Sequence, residues 1–266
     1  MKGWRSISSF KHLISYTYQR GRCCEPRTTD LSRQLSTSHQ KFLHPSFLAS
    51  DDRKTAVMAS SGLRRDRNIV AQDYDYFLVL DFEATCLENE KIHPQEVIEL
   101  PVLKVSGKTF ETESTFHQYV EPQVHGVGDF CTKLTGITPE MVKGQPTFAE
   151  TLKLLNDWML REGLLDPAVK SIFVTCGDWD LKTMLPSQCG YFEIPYGSYF
   201  RQWINIKKSF AVVTGHFPKG MMQMLEKLHL EHVGRHHSGI DDCRNIANIL
   251  RALAQKRFKF KQTGKR

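Results

Sequence analysis

The sequence predicts a mixed α/β sheet that opens with an antiparallel meander and carries helices on both faces. Three observations point to it. Tyr76–Leu80 is wholly apolar, a hairpin-linked pair of β-favouring segments follows, and after Thr138-Pro139 helical apolar periods alternate with further short apolar runs.

Tyr76-Phe77-Leu78-Val79-Leu80 shows no polar alternation, as expected of a central strand covered on both faces. Val97 to Val105 is the second strand, with Pro101 predicting a bulge or an interrupted ladder because proline has no amide to donate. Ser106-Gly107-Lys108 supplies a hairpin turn, and Thr109 to Val120 alternates as the returning strand. Thr147 with Glu150 forms a capping box. Phe148, Leu152, Leu155 and Met159 then share one helical face until Gly163 ends it. Ser171 to Cys176 reads as another buried strand, followed by a short helix that opens near Asp178, with Asp178 as its cap, and ends before Pro186. Trp203 to Ile206 is a strand. Met221 to Leu228 is helical, and Ile246, Ile249, Leu250 and Leu253 mark a final amphipathic helix.

A chain of 266 residues suits one sizeable core plus an appendage. The expected division is a leader and linker over 1–72, one domain over 73–261, and a solvated basic tail over 262–266. No apolar run approaches the roughly 20 residues that cross a bilayer, so no membrane association is expected. The net charge of +7 is concentrated at the start: residues 1–50 hold eight Lys or Arg against Glu25 and Asp30. Overall basicity is therefore weak support for a nucleic-acid partner. The leader is rich in Ser and Arg and poor in acids, the composition of a mitochondrial transit peptide; without that address the protein is expected in cytoplasm or nucleus. Seven cysteines lack the spacing of a zinc site or a disulfide framework, which fits a reducing compartment, and Cys86, Cys131, Cys176, Cys189 and Cys243 read as packed thiols.

Side chains alternate along a strand, so Asp81 and Glu83 project to one side and Phe82 to the other. Two carboxylates converging at the end of an apolar strand repel each other, and a hard cation relieves that repulsion. Alone, Asp-x-Glu says little, since about one instance arises by chance in a chain of this length. A second carboxylate, Asp180, lies in the first helical turn after the Ser171–Thr175 strand. A third element, His237 with Asp242 five residues on, precedes the final helix. There Asp242 suits a metal and His237 a proton acceptor. Order along the chain lets all of these meet at one edge of the sheet.

The set Asp81, Glu83, Asp180, His237 and Asp242 resembles the DEDDh exonucleases of the ribonuclease H-like fold. The segments Asp81-Phe82-Glu83-Ala84-Thr85-Cys86, Leu134-Thr135-Gly136-Ile137, Trp203-Ile204-Asn205 and Gly239-Ile240-Asp241-Asp242 are similar to the enhanced-RNAi (Eri-type) 3′ exoribonuclease family. Val174–Leu181 is most like its third-member branch, and the likeness spans about Asp73 to Lys261. The resemblance implies a 3′-5′ exoribonuclease that releases 5′-nucleoside monophosphates from single-stranded or short-overhang RNA 3′ ends. Two Mg²⁺ ions about 4 Å apart, with Mn²⁺ as the alternative, would be held by Asp81, Glu83, Asp180 and Asp242. Glu83 would also touch the terminal nucleotide, His237 would be general base, and Ala84, Thr85, Leu134 and Thr135 would contact substrate. For Leu134 and Ile137, core packing is an equal reading. His236 stands where the family commonly has proline. Activity on DNA, and a nuclease-shaped scaffold acting through a protein partner of unknown identity, are the alternatives.

Overall fold

The computed structural model describes residues 69–266, and the expected transit peptide lies outside them. Strand β1 (Tyr76–Leu80) is central. It pairs antiparallel with β3 (Val97–Ser106) on one side and parallel with β5 (Ser171–Thr175) on the other. Strand β4 (Thr112–Tyr119) extends the sheet beyond β3, completing the predicted meander. On the far side β6 (Gln202–Asn205) pairs parallel with β5, and β7 (Gly264–Lys265) pairs antiparallel with β6.

After Leu80 the first strand leaves its ladder and resumes as the two-residue β2 (Glu83–Ala84), again on β3. Leu80 pairs with Val102 and Glu83 with Glu99, so Pro101 falls opposite the break. The interruption expected at Pro101 is therefore real. It lies on the β1 side, where proline has no amide to offer, while on the other side Pro101 still stands opposite His117 of β4.

Strand alternation sends Phe77 and Val79 to one face and Leu78 and Leu80 to the other. The second face is covered by α3 (Phe148–Arg161), through Phe148, Leu152, Leu155 and Met159, and by α4 (Leu185–Tyr191). The first face is covered by α5 (Ile206–Thr214), α6 (Met221–Leu228) and α7 (Gly239–Gln255). Two short helices, α1 (Asp129–Thr135) and α2 (Pro139–Val142), make a satellite cluster with Ile98. Helix α3 starts as predicted: Thr147 Oγ1 accepts from the Glu150 amide, and the Glu150 carboxylate accepts from the Thr147 amide.

Four expectations are corrected. The helix after β5 does not end before Pro186. A π-helical turn over Asp180–Met184 runs directly into α4, and Pro186 is taken up in the first turn of α4, at the junction between the two. Asp178 is no helix cap: its carboxylate accepts from Trp203 Nε1 at 2.8 Å and Lys208 Nζ at 2.9 Å, fastening the loop to β6 and α5. Gln72, placed in the linker, docks on the domain, donating to the Phe258 carbonyl and accepting from the Phe260 amide. The last residues are not a solvated tail, since Gly264 and Lys265 form the edge strand β7 and Arg266 donates to the Lys182 carbonyl.

Candidate active site

The break between β1 and β2 builds the site. It lets Asp81 leave the ladder at the strand end while Glu83 is held by β2, and Phe82 turns to the opposite face, where its ring meets Phe148 edge-on. The amide of Phe82 donates to Asp180 Oδ1 at 3.0 Å, tying the π-helical turn after β5 to the strand end. That turn has a physical role here. Its i→i+5 bond, from the Leu185 amide to the Asp180 carbonyl, widens the first turn around the buried Asp180.

Asp242 enters from the first turn of α7, the helix packed against β1 and β3. Its Oδ2 accepts from the His237 amide at 3.0 Å, which fixes the preceding loop. His237 has φ = 64°, a left-handed conformation unusual for a residue with a Cβ, and this bend brings its ring toward the carboxylates. Single ligand atoms of Glu83, His237 and Asp242 all lie within 4.8 Å of one another. The rings of His236 and His237 stack at 4.0 Å between centroids.

Electrostatics define the character of this cluster. Burial, followed by the charges of Asp180, Glu83, Asp242 and Glu99, holds the Asp81 carboxyl well above the usual range. Glu83 is pushed up to about 9 by burial and then by Glu99, Asp242 and Asp180. Burial raises Asp180 to about 6 against the pull of the Phe82 amide. Asp242 is raised by burial, with the His237 amide opposing. Such a cluster must take up either protons or cations. Its oxygen donors are hard ligands suited to Mg²⁺ or Mn²⁺. His237 moves the other way: burial and then His236 keep its imidazole below the ordinary value, against the carboxylate of Asp242.

Residue Glu99 escaped the sequence reading. It is buried in the middle of β3, and its carboxylate accepts from the amides of Gly239 at 3.0 Å and Ile240 at 3.2 Å, with His117 Nε2 at 2.7 Å. A carboxylate at a helix N-terminus answers the unpaired amides of the first turn, so Glu99 anchors the helix that carries Asp242. Gly239 is required by proximity: a Cβ there would come within 2.9 Å of the Asp81 carbonyl oxygen. The detectable signal was a lone glutamate inside the apolar run Val97-Ile98-Glu99-Leu100, which cannot be buried without donors.

Of the expected substrate contacts, the threonine side chains are occupied elsewhere. Thr85 Oγ1 accepts from the Glu96 amide, and Thr135 Oγ1 donates to the Cys131 carbonyl and accepts from the Ile137 amide. Ile137 packs in the satellite core. Ala84 is buried with its carbonyl 3.6 Å from Cys131 Sγ. Leu134 is half-buried at the end of α1, whose last carbonyls, of Lys133 and Leu134, accept from the Arg235 guanidinium. The His237 loop and α1 are thus joined beside the carboxylates.

A family model described as Exonuclease matches residues 78–250. The chain belongs to the exonuclease family. Among its relatives, ERI1 exoribonuclease 3 of Homo sapiens is 54% identical over 224 residues, covering 83% of this chain and 66% of the relative. The Mus musculus counterpart is 59% identical over 196 residues, covering 73% and 58%. The 3'-5' exoribonuclease 1 of Homo sapiens is 40% identical over 202 residues, covering 72% and 56%. The chain thus spans about two thirds or less of the curated relatives it matches. The nuclease domain of 3'hExo, a DEDDh family member bound to rAMP, superposes with a TM-score of 0.70 at 37% identity, covering 74% of this chain and all of that domain. A 3'-exonuclease that recognises the 3' end of a histone mRNA stem-loop gives a TM-score of 0.70 at 36% identity, covering 73% and 68%. The fold is therefore the ribonuclease H-like fold of DEDDh nuclease domains. Membership of this family implies dependence on divalent metal.

Proposed function

We propose that this protein is a 3′-5′ exoribonuclease that shortens RNA 3′ ends by hydrolysis, releasing 5′-nucleoside monophosphates. The observation that carries the reading is the meeting of Glu83, His237 and Asp242 ligand atoms within 4.8 Å, beside Asp81 and with Asp180 bonded to the amide that separates the two strand carboxylates. Relatives named exoribonucleases and a neighbour bound to rAMP support RNA as the substrate class.

Asp81, Glu83, Asp180 and Asp242 would hold two divalent ions, Mg²⁺ in the first instance. When bound, such ions neutralise charge on the attacking and leaving oxygens of a phosphodiester. The protein's own groups supply the remainder. A ring nitrogen of His237, neutral because its environment disfavours the charged form, accepts a proton from the attacking water. The water oxygen bonds to the last phosphorus as the bond to the preceding O3′ breaks, and O3′ takes up a proton from solvent, leaving a new 3′-hydroxyl and a free mononucleotide. Glu99 keeps α7 seated so that Asp242 and the His237 loop stay in register with the strand carboxylates.

The test incubates the protein with RNA and DNA labelled at the 5′ end, in Mg²⁺ or in EDTA, beside an Asp81→Ala variant. A one-nucleotide ladder on RNA that disappears in EDTA and with Asp81→Ala is expected. Equal decay by wild type and variant would overturn the reading and favour a nuclease-shaped scaffold; equal trimming of DNA would broaden the substrate class.

A further inference from the structure

The loop between α6 and α7 holds a second group of ligand atoms, distinct in chemistry from the carboxylate cluster. Asn245, fully buried on α7, clamps Val233 from both sides: its Oδ1 accepts from the Val233 amide at 2.9 Å and its Nδ2 donates to the Val233 carbonyl at 2.8 Å. Gly234 follows with φ = 74°, and a Cβ there would lie 2.2 Å from the Asp241 carboxyl carbon. The Arg235 amide then donates to Asp241 Oδ2 at 2.9 Å. Val233 to Arg235 are thereby laid along the first two turns of α7. The residues on either side, His232 and His236, are left facing each other, with ring centroids 6.1 Å apart at 84°.

One nitrogen from each ring and one Asp242 oxygen lie within 4.8 Å of one another. His236 Nδ1 is already 3.3 Å from Asp242 Oδ2. His232 Nε2 is shut off from solvent and has no hydrogen-bond partner, an uncompensated polar atom that a ligand would satisfy. Two imidazole nitrogens and one carboxylate oxygen form the three-ligand set favoured by Zn²⁺ and similar borderline ions, whereas the carboxylate cluster suits hard ions. Bonds of about 2.0–2.2 Å place ligand atoms about 3.4 Å apart, so a ring rotation of His232 closes the set.

We propose that His232, His236 and Asp242 form a second, transition-metal site that shares Asp242 with the carboxylate cluster, takes Zn²⁺ in preference to Mg²⁺, and when occupied inhibits the nuclease by drawing Asp242 away from the other carboxylates. The inhibitory consequence rests on the proposed function; the binding does not. His232 belongs to this site alone, so His232→Ala separates the two.

Zn²⁺ binding is read by competition with a chromophoric chelator in excess Mg²⁺, which requires no nuclease activity. Wild type should withdraw Zn²⁺ from the chelator, and His232→Ala should lose more than about tenfold in affinity, as removal of a ligand requires. In parallel, Zn²⁺ should suppress RNA trimming by wild type, while His232→Ala trims RNA in Mg²⁺ alone as wild type does and resists Zn²⁺. His232→Gln, closer in volume, serves if the alanine variant unfolds. Equal Zn²⁺ affinity in wild type and variant, or equal inhibition of both, would overturn the proposal by placing the ion among the other carboxylates. Should wild type trim no RNA in Mg²⁺, the functional reading fails, and chelator competition still decides the site.

Discussion

Replacing Glu99, a positioning residue, with alanine should unseat the helix that carries Asp242. Its carboxylate receives three donors: the amides of Gly239 at 3.0 Å and Ile240 at 3.2 Å, and His117 Nε2 at 2.7 Å. His117 is partly exposed and can turn to water, so the two amides set the scale. An unsatisfied buried donor costs about 1–3 kcal/mol, so two of them give a loss of about 2–6 kcal/mol for Glu99→Ala. A second effect opposes it. Glu99 adds to the repulsion that raises Glu83 and Asp81, and its removal relieves that repulsion in EDTA. Divalent ions already cancel the repulsion, so in Mg²⁺ no relief remains and the loss should be larger. Glu99→Gln retains one acceptor of similar shape and should lose about half as much. Urea unfolding followed by tryptophan fluorescence, with and without Mg²⁺, measures both variants. A change below about 0.5 kcal/mol in Mg²⁺, the range of an unremarkable surface substitution, would refute the anchoring role. So would a larger loss in EDTA than in Mg²⁺.

His237→Ala should lower kcat by about 10²–10⁴-fold with little change in KM, the usual weight of a general base, and added imidazole should restore part of the rate. In wild type the rate should fall on the acid side only below about pH 6.5, because His237 titrates below its ordinary value and works in its neutral form. His236→Gln removes one of the influences holding it down and should move that limb to higher pH in a log kcat profile; an unmoved limb would assign the titration to another group. Stability in EDTA should also depend on pH. Glu83 titrates at about 9 when folded, so between about 4.5 and 9 the folded state binds a proton that the unfolded chain releases. Stability should therefore be highest at the acid end of that window and decline as pH rises, with Mg²⁺ removing the slope. A melting temperature in EDTA that is flat between about pH 5 and 8.5 would contradict the burial and repulsion that raise Glu83.

Residues with strong local patterns were legible in the sequence, and those defined by a partner far along the chain were not. The apolar run at Tyr76–Leu80, the capping box at Thr147 and the period of Met221–Leu228 specify their elements locally, and the structure forms all three. Helix α5 was missed because Ile206-Lys207-Lys208-Ser209 continues directly from a strand and ends in β-branched Val212-Val213-Thr214. Its cues were Asn205, whose side chain accepts from the Lys207 amide, and Gly215 at φ = 70°. Helix α1 was read only as a motif, though Gly136 closes it in the same left-handed way. Asp178 resembled a cap because aspartate commonly is one, and only the fold brings Trp203 and Lys208 to it. Asp81 and Glu83 were legible as two carboxylates at a strand end, while the ladder is broken between Leu80 and Glu83, so simple strand alternation does not describe them. The role of Glu99 was not, since its partners lie 140 residues away.

The most direct test of the carboxylate cluster as a metal centre is anomalous diffraction from crystals grown with Mn²⁺ and a nucleoside monophosphate. Two peaks about 4 Å apart, within bonding reach of Asp81, Glu83, Asp180 and Asp242 oxygens, are expected. Peaks elsewhere, or none in crystals of protein that trims RNA in Mn²⁺, would contradict it.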